Sequence, residues 1–160
     1  MDKLHWLFKG LHSQGWLTII GGIMIDGYKG ELKGGQKIYI ADWTPHVALQ
    51  NLTQAGTYIG IDNLLAISKL DDFSTHTAIL AITSATDSEG TMGLIEHFVC
   101  TAAMDGERIQ PHSFDAIFKD NLFLVVEIFC HVVKSQYADF FVQGLVEAQP
   151  QADTEQPQEI

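Results

Sequence analysis

Basic residues, cysteines and long apolar runs are all scarce in this sequence. Nine Lys and Arg stand against twenty Asp and Glu, which gives a formal net charge of −11 with neutral histidines. Phosphates and anionic lipids repel such a chain, so binding to nucleic acid or membranes through a basic face is strongly disfavoured. The 160 residues, 46% of them hydrophobic, are enough for one globular domain and argue against wholesale disorder.

The cysteine content and the apolar runs also indicate where in the cell the protein is located. Cys100 and Cys130 are too few for a disulfide framework and too far apart for a CxxC motif, which favours a cytosolic protein. The longest apolar stretch, 16–25, has about ten residues, whereas a membrane span needs roughly 20. No small-residue cleavage pattern follows it, so we expect neither a membrane helix nor a signal peptide.

Familiar catalytic motifs are missing as well. The sequence contains no GxSxG, HExxH or P-loop motif, and no GxGxxG that opens a helix after a strand. We therefore predict a protein that is not an enzyme, with no catalytic residues and no cofactor. A small enzyme without a known motif stays open as an alternative.

The seven histidines suggest a metal site as a hypothesis. His97 and Cys100 are spaced i, i+3 on a predicted helix, so their side chains can converge. Cys130 and His131 are adjacent on another predicted helix and point about 100° apart, which makes a shared ion difficult. The usual zinc spacing is absent, and we predict no metal site. We interpret Glu127 and His131, spaced i, i+4, as part of a solvated helix face.

The first 42 residues predict a small Gly-rich β element after a short amphipathic helix. The Gly-Gly pairs at 21–22 and 34–35 each separate two short runs of strand-like alternating sequence, which is typical of hairpin turns. Asp26-Gly27 is interpreted as another turn of the same kind. The helix is indicated by apolar residues at i, i+3, i+4 and i+7, namely Leu4, Leu7, Phe8 and Leu11.

Residues 43–148 predict a helical body. Thr44-Pro45 is a favourable helix start, and Gly56 is a plausible end for that helix. Residues 73–83 fit either a helix or a strand. After a polar loop at 83–91, apolar residues on one face predict another helix, which we expect to end at Asp105-Gly106.

The longest predicted helix covers 121–148. Its apolar arc is wider than the roughly 100° of an ordinary surface helix, so it is central to the core or buries a second face against another chain. A homo-oligomer therefore stays open. Residues 149–160 are rich in Gln, Pro and acidic residues and predict a disordered acidic tail. The predicted fold is α+β and mainly helical, with a small N-terminal β-hairpin element, a helical body and a long C-terminal helix in one domain over 1–148.

Aromatic residues near the end of this helix indicate a partner site. Tyr137, Phe140 and Phe141 lie on one helical face just before the predicted tail, and aromatic residues are enriched among interface anchors. For most of the other aromatic residues we expect ordinary core packing.

Two segments resemble tail assembly chaperones of long-tailed bacteriophages. Residues 114–141, FDAIFKDNLFLVVEIFCHVVKSQYADFF, resemble the C-terminal part of such proteins, which have a Phe-rich segment, an Asn-Leu helix start and an aromatic–x–Asp–Phe–Phe ending. Residues 42–60, DWTPHVALQNLTQAGTYIG, are similar to their first helical part. The matching residues of the longer segment are Phe114, Phe118, Asn121, Leu122, Tyr137, Asp139, Phe140 and Phe141.

The resemblance implies a chaperone that binds the tape-measure protein in the host cytoplasm and keeps it soluble while the tail tube assembles. Tail-tube protein and a frameshift-extended form of the chain are further implied partners. The alternative is a structural or baseplate-associated virion protein. The residues expected to contact a partner are Tyr137, Phe140, Phe141, Phe114 and Phe118.

Overall fold

The computed structural model describes residues 19–20, 23–24 and 26–148, and the side chains of 26–144. The helix predicted near Leu4, the Gly-Gly turn at 21–22 and the tail at 149–160 lie outside these residues. A 3-10 turn at Pro111–Ser113 precedes the fifth helix. In chain order the elements are β1 (Ile19–Ile20), β2 (Ile23–Met24), β3 (Gly27–Glu31), β4 (Lys37–Ala41), α1 (Pro45–Tyr58), α2 (Ile61–Ser68), α3 (Ser74–Thr83), α4 (Ser88–Val99), β5 (Ala102–Met104), β6 (Glu107–Arg108), α5 (Phe114–Phe118) and α6 (Leu122–Ala148).

The strands form two antiparallel sheets, one of β1 and β2 and one in the order β3-β4-β5-β6. The hairpin predicted at the second Gly-Gly pair is confirmed, since β3 and β4 pair in antiparallel register around it. Gly35 has a φ of 87°, a conformation that suits glycine. The turn predicted at Asp26-Gly27 is wrong, because Gly27 begins β3 and pairs with Ala41 of β4.

Two further strands interrupt the predicted helical body. α4 ends at Val99, not at Asp105-Gly106, and the chain continues as β5, which pairs with β4. Asp105 and Gly106 have φ values of 48° and 90° and form the two-residue turn between β5 and β6. Positive φ at both turn positions is typical of a tight hairpin. The prediction that Asp105-Gly106 ends a helix is therefore wrong, because this turn connects two strands.

The helical segments follow the sequence signals with small shifts. α1 begins at Pro45 as predicted, although the Thr44 side chain forms no capping hydrogen bond. Gly56 does not end α1, which continues to Tyr58; the break comes at Gly60, with a φ of 91°. The ambiguous segment is the helix α3. The loop predicted after it is shorter, because α4 starts at Ser88 after a cap by Asp87.

α6 is the centre of the core. Every residue from Leu124 to Val133 is buried, and α2, α3 and α4 all pack against this helix. A helix that is apolar almost all round is stable in water only when other elements surround it. Of the two predicted alternatives, a place at the centre of the core is therefore the one observed, and the chain's own elements cover this part of α6. The α+β, mainly helical fold with a long C-terminal helix is confirmed. Among the described residues, no helix is long and apolar enough to cross a membrane.

Candidate partner-binding surface

α6 leaves the body of the protein near Tyr137, its last buried residue among those with described side chains. The Tyr137 hydroxyl donates a hydrogen bond to the Ala48 carbonyl of α1 at 2.8 Å. One residue earlier, the Gln136 amide donates to the Ala41 carbonyl and accepts from the Trp43 N–H, both at 3.0 Å. These bonds fix the point at which the helix emerges.

Beyond this point α6 presents apolar side chains to solvent. Phe140 is 51% exposed and Val142 is 60% exposed. At 3.6 residues per turn, these two positions point to nearly opposite sides of the helix, while Asp139 and Gln143 share one polar side. We call the segment from Asp139 to Gly144 the projecting end; no side chain in it is fully buried. Apolar side chains on several sides of an exposed helix indicate a surface that a partner covers.

The five residues predicted to bind a partner have different environments. Tyr137 is 2% exposed and packs against Trp43, with ring centroids 6.1 Å apart. Phe114 and Phe118 are also buried, and their rings meet edge to face with centroids 4.9 Å apart. These three side chains pack within the chain, so in this conformation a partner could not reach them.

The other two predicted residues lie at or near the surface. Phe141 is half-buried, with its ring 6.2 Å from Tyr137 and 5.6 Å from Phe140. Phe140 is the predicted residue that solvent reaches most freely. Val142 is not among the predicted contact residues, although it directly follows the aromatic cluster on the same helix. Binding of a partner at these positions stays a prediction.

The start of α6 has a second set of exposed apolar side chains. Leu122 is 73% exposed and Phe123 is 43% exposed. The Lys33 ammonium lies 5.5 Å from the centroid of the Phe123 ring, so the β3–β4 hairpin partly covers this residue. Leu122 is therefore a useful counterpart to Phe140, at the opposite end of the same helix.

The helix face interpreted as solvated is in fact covered by the β3–β4 hairpin. Glu127 and His131 are 5% and 7% exposed. The Lys33 N–H donates a hydrogen bond to Glu127 Oε1 at 2.6 Å, and the Tyr28 hydroxyl lies 2.9 Å from His131 Nδ1. Burial, and then the positive charge of Lys134, lowers the pKa of His131 to about 4. The correction has a simple cause: a polar stripe can be buried when a neighbouring element supplies its hydrogen bonds.

The thiols and imidazoles considered as metal ligands have other environments. The described residues contain no group of three or more His, Cys, Asp or Glu that could hold a metal ion. His97 Nε2 lies 3.2 Å from the Asn51 side-chain oxygen. Burial, and then the nearby Glu127 charge, raises the pKa of Cys130 to about 12, and burial also raises the pKa of Cys100. Both thiols are therefore protonated and weakly nucleophilic at neutral pH.

Comparison with known proteins identifies the family. Residues 34–148, more than two thirds of the chain, match the family model described as phage tail assembly chaperone protein, TAC. The chain belongs to the phage tail assembly chaperone family. No curated protein and no solved structure matches the chain.

The family match confirms the resemblance inferred from the two sequence segments. It extends from the turn of the β3–β4 hairpin to the end of α6 and so includes the projecting end. Membership supports a role in tail assembly, with tail proteins as interaction partners, and indicates a non-enzymatic protein.

Proposed function

We propose that this tail assembly chaperone binds the tape-measure protein through the projecting end of α6. It keeps the tape-measure protein soluble in the host cytoplasm until the tail tube assembles around it. The observation that carries the proposal is the exposure of Phe140 and Val142 on a helix end that nothing in the described chain covers. No chemical step is involved, because covering apolar helix faces of a client is sufficient to prevent its aggregation.

The position of these side chains favours client binding over a purely structural role. Phe140 and Val142 follow Gln136 and Tyr137, the residues whose hydrogen bonds attach α6 to the body of the protein. A client could therefore contact Phe140 and Val142 without disturbing the core. The same surface could accept tail-tube protein or a frameshift-extended copy of the chain, which we include as candidate partners.

Co-expression with the tape-measure protein tests the proposal. We expect the chaperone to move most of the tape-measure protein from the insoluble to the soluble fraction and to copurify with it. Phe140→Ala combined with Val142→Ala should remove most of this effect. Leu122→Ala is the matched control, because it shortens an even more exposed apolar side chain near the other end of α6. Circular dichroism should show the same helical content in all variants.

Two results would contradict the proposal. One is a tape-measure protein that stays insoluble, or stays soluble to the same extent, whether or not the chaperone is present. The other is recovery of the protein in stoichiometric amounts from purified phage particles, which would favour the structural or baseplate-associated alternative.

A further inference from the structure

The sequence around and after the projecting end carries negative charge only. From Ser135 to Ile160 there are five acidic residues and no Lys, Arg or His. Asp139 is exposed and directly precedes Phe140, so its carboxylate borders the apolar surface. The acidic residues of this region are Asp139, Glu147, Asp153, Glu155 and Glu159.

The body beside the projecting end is acidic too. The bond from Gln136 to the Ala41 carbonyl places the end of β4 against α6, and the exposed Asp42 follows directly. The Asp42 N–H donates a hydrogen bond to the Asp26 carbonyl at 3.1 Å, which places a second acidic residue beside it. Burial, and then the negative charge of Asp26, raises the pKa of Asp42. The nearest Lys or Arg along the helix is Lys134, whose ammonium lies 5.9 Å from the centroid of the Tyr28 ring.

We propose that the projecting end binds an amphipathic α-helix whose apolar stripe is flanked by Lys and Arg. Phe140 would contact the stripe, and Asp139 and Asp42 would face the flanking cations. Such charge pairs guide encounter and exclude partners of the wrong charge. This inference rests on the proposed function, since it names the chemical class of the client segment. A second copy of this chain would instead bring two acidic helix ends together, which like-charge repulsion disfavours.

Two synthetic peptides with identical leucine stripes test the inference, one with Lys flanks and one with Glu flanks. Binding to the full-length protein is measured by fluorescence anisotropy. At about 50 mM salt we expect the Lys-flanked peptide to bind at least roughly tenfold more tightly. At about 300 mM salt the difference should shrink, because salt screens charges at the surface.

Matched variants distinguish the effect of charge beside Phe140 from the effect of the protein's net charge. Asp139→Lys should remove most of the preference for the Lys-flanked peptide. Asp120→Lys changes the net charge by the same amount and is the control. Residue 120 precedes the start of α6, a helix of 27 residues that is about 40 Å long, so this change should have little effect. Phe140→Ala should weaken binding severalfold, whereas Leu122→Ala should not.

Equal affinities for the two peptides, or equal effects of the two charge variants, would overturn the inference. A dimer in light scattering that is lost in Phe140→Ala but kept in Leu122→Ala would overturn it as well, in favour of a second copy. If the protein still solubilises the tape-measure protein while showing no charge preference, only this inference fails. If it solubilises nothing, the proposed function fails independently.

Discussion

The Tyr28 hydroxyl and His131 Nδ1 are 2.9 Å apart, although 103 residues separate them in the chain. Their rings are tilted against each other with centroids 5.6 Å apart. Together with the bond between the Lys33 N–H and Glu127, this contact attaches the β3–β4 hairpin to the polar side of α6. The attachment predicts how the stability of the protein depends on pH and on the two buried polar side chains.

Acid should destabilise the protein through His131. Its pKa is about 4 in the folded chain and 6.5 as a free group. Between pH 6.5 and about 4, the unfolded chain therefore binds a proton that the folded chain does not, and the free energy of unfolding falls. We expect a loss of about 1–2 kcal/mol from this group by pH 5, measured by urea unfolding.

His131→Gln is the control for this effect. The amide offers Tyr28 a hydrogen-bond partner but does not titrate, so the variant should lose less stability between pH 7.5 and 5 than the natural protein. Tyr28 from β3 contacts the His131 ring, the charge of Lys134 acts on it, and Glu127 lies one helical turn before it on α6. An identical pH dependence in both proteins would assign the effect to other groups.

Glu127→Ala should destabilise the hairpin attachment. The change leaves the Lys33 N–H without its acceptor in a part-buried contact, which should cost about 1 kcal/mol, the lower end of the range for a donor that loses its partner. Glu127→Gln keeps an acceptor oxygen and should cost less. Urea unfolding followed by circular dichroism measures both. Asp120→Ala, at an exposed position, should change the free energy of unfolding very little, and an equal loss there would contradict the prediction.

Replacement by alanine should have opposite effects on stability at two glycines of α4. A Cβ at Gly93 would have no neighbouring atom within 4 Å, so Gly93→Ala should raise the free energy of unfolding by about 0.5–1 kcal/mol through helix propensity. A Cβ at Gly90 would overlap the Tyr58 ring and approach the capping Asp87 carboxylate to 2.8 Å. Gly90→Ala should therefore lower the melting temperature, while Gly93→Ala should raise it.

Substitutions at Tyr137 and Phe140 should affect different properties, stability in the first case and client binding in the second. Tyr137→Phe removes the bond to the Ala48 carbonyl and should cost about 1 kcal/mol in thermal or urea unfolding, without weakening client binding. Phe140→Ala should leave stability nearly unchanged and weaken client binding. If Tyr137→Phe weakens binding at unchanged stability, the predicted role of Tyr137 as a contact residue is supported instead.

Local patterns predicted the elements whose signals lie within a few residues. The Gly-Gly pair at 34–35 predicted the hairpin, and Thr44-Pro45 predicted the start of α1. Asp105-Gly106 shows where this fails. A turn with positive φ fits a helix end and a hairpin equally well, and the decision came from pairing with β4, a strand about 60 residues earlier in the chain.

The sequence by itself determined that α6 is long and that most of its surface must be buried, because an almost continuous apolar surface is not stable in water. Tertiary structure decided that the chain's own helices bury it. The sequence also determined that Tyr137, Phe140 and Phe141 share a face, since that follows from helical spacing alone. Tertiary structure decided which of these side chains is exposed to solvent, because α1 covers Tyr137 but not Phe140. Tertiary structure likewise buried Glu127 and His131, since their hydrogen-bond partners come from a hairpin roughly a hundred residues away.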